Sequence, residues 1–149
     1  MGLFYERFEL HEALVTRRRT LTEADIVAFA GLSGDYDPVH TDEVFAAAET
    51  PFGTCIAHGP LGLSVDIGLL SQLNVIEDTA LALLGLTWDF AGPIKAGGTI
   101  HVRATTVEKR ETRHPGRGIV KLKMEVINQR DETVQTGAIT ILPRRRAGG

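Results

Sequence analysis

The N-terminal half of the chain carries apolar residues at helical spacing. In "TLTEADIVAFAGLSG" this spacing predicts an amphipathic helix that ends at Gly34. Thr20 and Glu23 match the S/T-x-x-E signature and are predicted to cap the start of this helix. Its apolar stripe is predicted to comprise Ile26, Val27, Phe29, Ala30 and Leu32. Residues 10–19, which precede it, look extended.

A segment broken by Pro and Gly follows this helix. "DYDPVH" is predicted to be irregular, because Pro38 restricts Asp37 toward extended backbone. "TDEVFAAAE" predicts a short helix that begins at Thr41 or Asp42 as the N-cap. The segment therefore places polar side chains in a loop between two helices.

The most apolar stretch of the chain is "HGPLGLSVDIGLLSQLNVIE". From Gly59 to Ile76 its only charged residue is Asp66. A helix that is apolar nearly all round is predicted to lie inside the domain. Pro60 suits the first turn of such a helix, because its missing N–H has no intrahelical partner there.

After Asp78 the period changes from helical to alternating. "LALLGLTWDFAG" is predicted as a buried strand, and three further strands follow, separated by the turns "RHPGRG" and "NQRDE". The resulting order is strand, helix, loop, buried helix and four strands. It predicts an α+β domain in which helix and sheet pack as two layers. We assign residues 1–143 to this single domain and residues 144–149 to a flexible tail.

Composition and charge exclude several classes of function. The net charge of −3 argues against nucleic acid as a partner. Cys55 is the only cysteine, so a disulfide framework or a cysteine-based zinc site is excluded, and no metal is predicted. The apolar runs are too short to span a membrane, and the N-terminus lacks signal-peptide features. The predicted location is the cytoplasm.

Three residues in the broken segment and the turn after it could carry chemistry. Asp35 and His40 lie five positions apart across Pro38, and the loop could bring them to one water molecule as an acid–base pair. Gly59, at the start of the apolar helix, offers a backbone N–H without an intrahelical partner and no Cβ. The alternatives are that Asp35 caps a turn, His40 caps the next helix and Gly59 simply enters a helix.

These motifs resemble a known family. "SGDYDPVHTDEVFA" followed by "FGTCIAHGPLGLS" is similar to the hydratase signature of the MaoC-like dehydratases, or (R)-specific enoyl-CoA hydratases. The resemblance implies the hotdog fold, an antiparallel sheet wrapped around a long buried central helix. It also implies a homodimer or a dimer-based higher oligomer. The implied reaction adds water to a 2-enoyl-CoA to give the (R)-3-hydroxyacyl-CoA, or the reverse, with CoA as substrate carrier and no cofactor.

The resemblance also assigns roles to particular residues. Asp35 is implied as the base, His40 as the group that holds water and handles the proton, and Gly59 as the oxyanion donor. Ser64 corresponds to a serine that helps orient the family's pocket, although a small residue there also suits close helix packing. The chain departs from the pattern at Asp37, where the family usually has Asn.

Other functions stay open from the sequence. Asp66 lies two turns after Gly59 on the same helix face, so the chain could be a hotdog acyl-CoA thioesterase that uses this carboxylate. A hotdog subunit that binds acyl thioesters without converting them is a third possibility. His58 is predicted to form local hydrogen bonds that shape the glycine turn, and Cys55 to be a small buried apolar residue.

Overall fold

The computed structural model describes residues 1–146 of the chain. A six-stranded antiparallel sheet has the order β1-β4-β5-β6-β3, and β2 also pairs with β4. The strands are β1 (Ala13–Val15), β2 (Arg19–Thr20), β3 (Ala80–Phe90), β4 (Thr99–Glu111), β5 (Gly118–Asn128) and β6 (Thr133–Pro143). The α-helices are α1 (Glu23–Ser33), α2 (Pro38–Thr41), α3 (Glu43–Glu49) and α4 (Gly59–Ser71). The expected element order, including four C-terminal strands, is confirmed.

The core lies between α4 and one face of the sheet. Alternate residues of the central strands point to this face, as shown by the direct pairing of Val102 with Val126, both fully buried. From α4 the buried residues are Leu61, Gly62, Val65, Asp66, Leu69 and Leu70. The predicted hotdog arrangement, a sheet wrapped around a buried helix, is confirmed. None of the helices in residues 1–146 is long and apolar enough to cross a membrane.

Helix α1 begins two residues later than predicted. Thr22 is its N-cap: the Thr22 hydroxyl accepts from the backbone N–H of Asp25, and the Asp25 carboxylate accepts from that of Thr22. The sequence contains two overlapping copies of the motif S/T-x-x-D/E, one starting at Thr20 and one at Thr22. The capping box uses Thr22 and Asp25, because Thr20 already belongs to β2. Gly34 ends the helix in the left-handed region with φ 78°, as expected.

The apolar stripe of α1 is narrower than predicted. Ile26 and Ala30 are buried, but Val27 and Leu32 are exposed. Only one narrow side of α1 packs against the domain. The apolar residues on its other sides remain exposed in the single chain.

Strand β3 was predicted to be buried, and this is the largest error of the sequence-based predictions. Its apolar residues predicted a buried strand, yet β3 is an edge of the sheet, paired only with β6 among the described strands. Its exposed apolar residues are Leu81, Leu83, Leu84, Leu86 and Phe90. Composition reports how apolar a strand is, but which strand lies at the edge is decided by the topology of the sheet. An apolar open edge of this length is a site for pairing with another strand.

The start of the predicted flexible tail is attached to the domain. The Arg144 backbone N–H donates to the Thr79 carbonyl at 2.8 Å. Arg145 forms ion pairs with Glu6 at 3.3 Å and Glu111 at 3.2 Å. Local composition could not show these contacts, because the partners are distant in the sequence, and the assignment of 144–149 as a flexible tail stays a prediction. Residues 147–149 lie outside the described part of the chain.

Candidate active site

The loop after α1 holds Asp35 through its own backbone. The Asp37 N–H donates to Asp35 Oδ1 at 3.1 Å, which forms a tight turn stabilised by a side chain. Asp37 in turn caps α2, since its Oδ1 accepts from the Val39 N–H at 3.1 Å. The segment predicted to be irregular thus contains a one-turn helix that starts at Pro38. Proline suits the first position of a helix, and only the residue before it must stay extended.

His40, at the end of that turn, faces Asp35. His40 Nδ1 donates to the Ile56 carbonyl at 2.8 Å, which in the neutral ring leaves Nε2 with a free lone pair. Nε2 lies 3.9 Å from Asp35 Oδ2. This separation is too long for a direct hydrogen bond. It does allow both groups to contact one water molecule or one substrate atom, as an acid–base pair requires.

His58 contacts both Asp35 and His40. Its Nε2 donates to the Asp35 backbone carbonyl at 2.9 Å, and its ring stacks on His40 with centroids 3.8 Å apart and planes inclined by 25°. The local structural role predicted for His58 is consistent with these contacts. Ligand atoms of Asp35, His40 and His58 lie within 4.8 Å of one another. One nitrogen of each imidazole already donates to a backbone carbonyl, so each ring has one nitrogen left for a ligand or a proton.

A cleft of about 500 Å³ lies near this pair, although neither Asp35 nor His40 is among its lining residues. It is lined by Phe52, Ile56, Ala57, Gly59, Phe90, Ala91, Gly92, Pro93, Ile94 and Gln135. Ile56 connects the two features, since its carbonyl accepts the His40 hydrogen bond. The lining is mostly apolar with a few polar groups, which is typical of a site for a small molecule.

Gly59 is the first residue of α4 and contributes to the cleft. Its N–H is one of the helix's unpaired N-terminal donors, and the helix dipole adds partial positive charge there. A Cβ at this position would lie 2.9 Å from Phe90 Cε1, so only glycine fits without displacing the ring. The structure therefore places the predicted oxyanion donor at the wall of the cleft.

Ser64 and Cys55 lie outside the cleft lining. Ser64 is exposed on α4, and its hydroxyl donates to the Pro60 carbonyl one turn back at 2.8 Å. The bond lies within α4, and an exposed side chain shows neither the close helix packing nor the pocket role that the sequence allowed. Cys55 is buried, and burial raises the pKa of its thiol to about 11. A protonated thiol is a poor nucleophile.

Asp66 is fully buried in α4, and neither carboxylate oxygen has a hydrogen-bond partner within residues 1–146. Burial raises the pKa of this carboxyl from 3.8 to about 8, so it is mainly protonated at neutral pH. A neutral carboxyl away from the cleft lining can neither attack a thioester nor activate water. The structure thus argues against the thioesterase interpretation.

Replacing Asp66 by Asn is expected to remove a pH-dependent loss of stability. The unfolded carboxyl ionises near 3.8 and the folded one near 8, so folding takes up a proton between these values. The wild-type free energy of unfolding therefore falls as pH rises through this window. The Asn variant should become more stable than wild type by up to a few kcal/mol near pH 8. Urea unfolding of both proteins at several pH values measures the difference. A difference that does not change with pH would show that the carboxyl is paired in solution.

Asp37→Asn is expected to leave activity within a few-fold of wild type, because the Asn side-chain oxygen can still accept from Val39. Asp37→Ala loses this cap of α2, the helix that carries His40, and should cost about 1 kcal/mol of stability. Thermal unfolding and steady-state kinetics of the two variants measure the contrast. A large loss of turnover in the Asn variant would assign the negative charge a role of its own.

Sequence reasoning missed one polar residue of the cleft. Gln135 is 3% exposed on β6, and its Oε1 accepts from Trp88 Nε1 at 3.1 Å. The available signal was a glutamine inside an otherwise small and apolar strand, which needs a buried partner. Its position in the cleft lining comes from the pairing of β6 with β3, which no local pattern shows.

The sheet wrapped around α4 defines a hotdog-fold protein, and the Asp35–His40 pair is its candidate acid–base site. The family model described as "MaoC like domain" matches residues 8–128. The chain belongs to this MaoC-like family.

Curated relatives and solved structures agree with this assignment. The chain is 42% identical over 107 residues to protein MaoC of Klebsiella aerogenes, a match that covers 71% of the chain and 31% of that relative. The chain thus spans less than a third of that longer protein. It is 32% identical over 121 residues to the (R)-specific enoyl-CoA hydratase of Aeromonas caviae, covering 80% and 85% of the two chains. A monoamine oxidase regulatory protein from Archaeoglobus superposes with a TM-score of 0.89 at 36% identity, covering 98% and 97%.

Proposed function

We propose that this protein is an (R)-specific 2-enoyl-CoA hydratase, or 3-hydroxyacyl-CoA dehydratase in the reverse direction. The observation that carries the proposal is the Asp35–His40 pair, 3.9 Å apart, near a mostly apolar cleft that is lined by Gly59, the first residue of α4. The similarity to the Aeromonas caviae hydratase over most of both chains supports it. The substrate is proposed to be a CoA thioester, with no further cofactor.

Hydration adds the two parts of one water molecule across the C2=C3 double bond. The water oxygen attacks C3 as Asp35 takes a proton from it, and C2 receives a proton in exchange. His40 orients the water by accepting its other O–H at Nε2, and the protonated Asp35 then gives the proton that it took to C2, which regenerates the carboxylate. Positioned acid–base groups of this kind contribute roughly 10²–10⁴-fold to rate.

Negative charge develops on the thioester oxygen as water attacks. The Gly59 N–H, at the positive end of α4, lies at the cleft wall where this oxygen can bind. Such donors stabilise the transition state more than the ground state, because the charge is larger in the transition state. The apolar lining provided by Phe52, Phe90 and Ile94 suits an acyl chain.

We further propose that two copies associate through β3. The exposed apolar edge of β3 can pair with the same strand of a second copy about a two-fold axis. Such pairing would cover the leucines that are exposed in the single chain. Phe90, at the end of β3, would bring this interface next to the cleft. Sedimentation of the purified protein measures the assembly.

Crotonyl-CoA is the substrate that tests the proposed activity. Loss of the enoyl absorbance should accompany formation of (R)-3-hydroxybutyryl-CoA, identified by chiral analysis, without release of free thiol. Thiol release would support a thioesterase. Binding of the thioester without either reaction would support the non-catalytic subunit.

A further inference from the structure

Gln135 occupies a defined place between the sheet and the first turns of α4. It pairs directly with Phe90 across β6 and β3, so the two side chains point to the same face of the sheet. Phe90 contacts the position of Gly59, and both Phe90 and Gln135 line the cleft. The amide is therefore buried at the wall that also contains the proposed oxyanion donor.

The chemistry of Trp88 determines which way this amide faces. Trp88 Nε1–H lies 3.1 Å from the Gln135 side-chain oxygen. An indole N–H can only donate, so its partner must be Oε1 and the amide nitrogen must face away from the indole. The two orientations of the amide are thus not equivalent, and Trp88 selects the one that directs Nε2 toward α4.

The amide nitrogen reaches the first turns of α4. Nε2 lies 2.5 Å from the place that a Cβ on Gly62 would occupy, so the absence of a side chain there makes room for the amide. Positions three apart on a helix are neighbours, which puts this nitrogen close to Gly59. Within residues 1–146, Nε2 makes no hydrogen bond to protein and is not one of the fully buried polar atoms that lack a partner, so it is accessible from the cleft that Gln135 lines. A donor at the surface of the cleft can bond to water, or to a ligand that displaces the water.

We propose that Gln135 Nε2 donates a hydrogen bond to the carbonyl oxygen of the bound acyl thioester, together with the Gly59 N–H. The assignment rests on the proposed function, because it requires an acyl thioester in the cleft. Gln135 is then a residue that contacts the substrate, and Trp88 is a positioning residue that acts through it. The donor stabilises the charge that grows on this oxygen as water attacks C3.

Two substitutions at position 135 separate donation to substrate from support of Trp88. Gln135→Met has a similar shape but neither donates nor accepts as an amide does. Gln135→Glu keeps an oxygen that can accept from Trp88 and replaces the donating nitrogen with oxygen. We expect Gln135→Met to lower kcat for crotonyl-CoA hydration by about 100-fold, with a smaller change in KM.

The pH dependence of the Glu variant gives a signature that a structural role would not give. A protonated glutamic acid can donate to the substrate and an ionised one cannot. Relative to wild type, the Glu variant is therefore expected to lose activity as pH rises. If Gln135→Glu has the wild-type rate at every pH, the proposal is overturned. Gln135 would then serve only as a hydrogen-bond acceptor for Trp88.

Trp88→Phe tests the positioning role. It removes the indole donor but not the amide, so the amide can turn and present its oxygen to the substrate. We expect a loss in kcat of about tenfold, smaller than that of Gln135→Met. An unchanged kcat would show that Trp88 does not set the orientation of the amide.

A binding measurement keeps the inference separate from the proposed reaction. Trp88 is the only tryptophan of the chain and is bonded to Gln135, so its fluorescence reports ligands in the cleft. Butyryl-CoA contains the thioester carbonyl, whereas the thioether S-butyl-CoA has the same chain without it. We expect Gln135→Met to weaken binding of butyryl-CoA about tenfold and to leave S-butyl-CoA binding unchanged.

The outcomes distinguish the two proposals. If wild-type protein binds butyryl-CoA but does not hydrate crotonyl-CoA, the hydratase function fails while the ligand comparison still decides the role of Gln135. Equal weakening of both ligands, or a rise in KM alone, would place the contact elsewhere on the ligand and overturn the assignment. If wild type binds no CoA thioester, both proposals fail.

Discussion

Asp35→Asn is expected to lower kcat for enoyl-CoA hydration by at least ~100-fold, because an amide cannot take the proton from water. The fold should change little, since the side chain is about half exposed and the Asn oxygen can still accept from the Asp37 N–H. Steady-state kinetics with crotonyl-CoA measures the effect, and thermal unfolding checks the fold. Asp37→Asn is the matched control, a carboxylate two residues away whose loss should leave kcat within a few-fold. Equal kcat values in both variants and wild type would remove Asp35 from the mechanism.

His40 should show a loss of the same size. His40→Ala removes Nε2, and we expect kcat to fall by at least ~100-fold. The same change leaves the Ile56 carbonyl without its partner, which can lower stability as well. His40→Asn separates the two effects, because the Asn side chain can donate from the position of Nδ1 but has no group at the position of Nε2. A stable Asn variant with near wild-type kcat would contradict the proposed role of Nε2.

Gly59→Ala is expected to lower kcat/KM by about 100-fold, on the scale of removing one oxyanion donor. The added Cβ would lie 2.9 Å from Phe90 Cε1 and at the wall of the cleft. The Phe90 ring is 54% exposed and can shift, so the protein should still fold. The added methyl group is expected to hinder the approach of the thioester carbonyl to the Gly59 N–H.

Gly68→Ala is the control on the same helix. Among residues 1–146, no atom outside the helix backbone lies within 4 Å of a Cβ built at Gly68. This change should leave kcat/KM unchanged and stabilise α4 by roughly 0.5–1 kcal/mol through helix propensity. Kinetics and urea unfolding of both variants give the comparison. Equal activity of the two alanine variants would show that the Gly59 turn does not bind the reacting carbonyl.

Much of the candidate site could be predicted because its residues are close in the sequence. Asp35 and His40 are separated by a proline turn whose geometry is local, and Gly59 stands at a helix start that the Gly-Pro pair predicts. Gln135 could not be found in this way. Its partner Trp88 lies 47 residues away, and only pairing of β6 with β3 brings the amide to the cleft.

Local periodicity was sufficient to predict α4, the central strands and their inward-facing residues, because the physical preferences of helix and strand act over a few neighbouring positions. Burial was predicted well wherever an element has neighbours on both sides, as for β4 and β5. It was wrong for β3, since the edge position of a strand depends on contacts between distant segments, as do the ion pairs of Arg145. The unpartnered state of Asp66 and the orientation of Gln135 likewise follow from how the sheet closes over α4. The sequence gives the functional group of each side chain. Its exposure to water and its hydrogen-bond partners are decided by the packed fold.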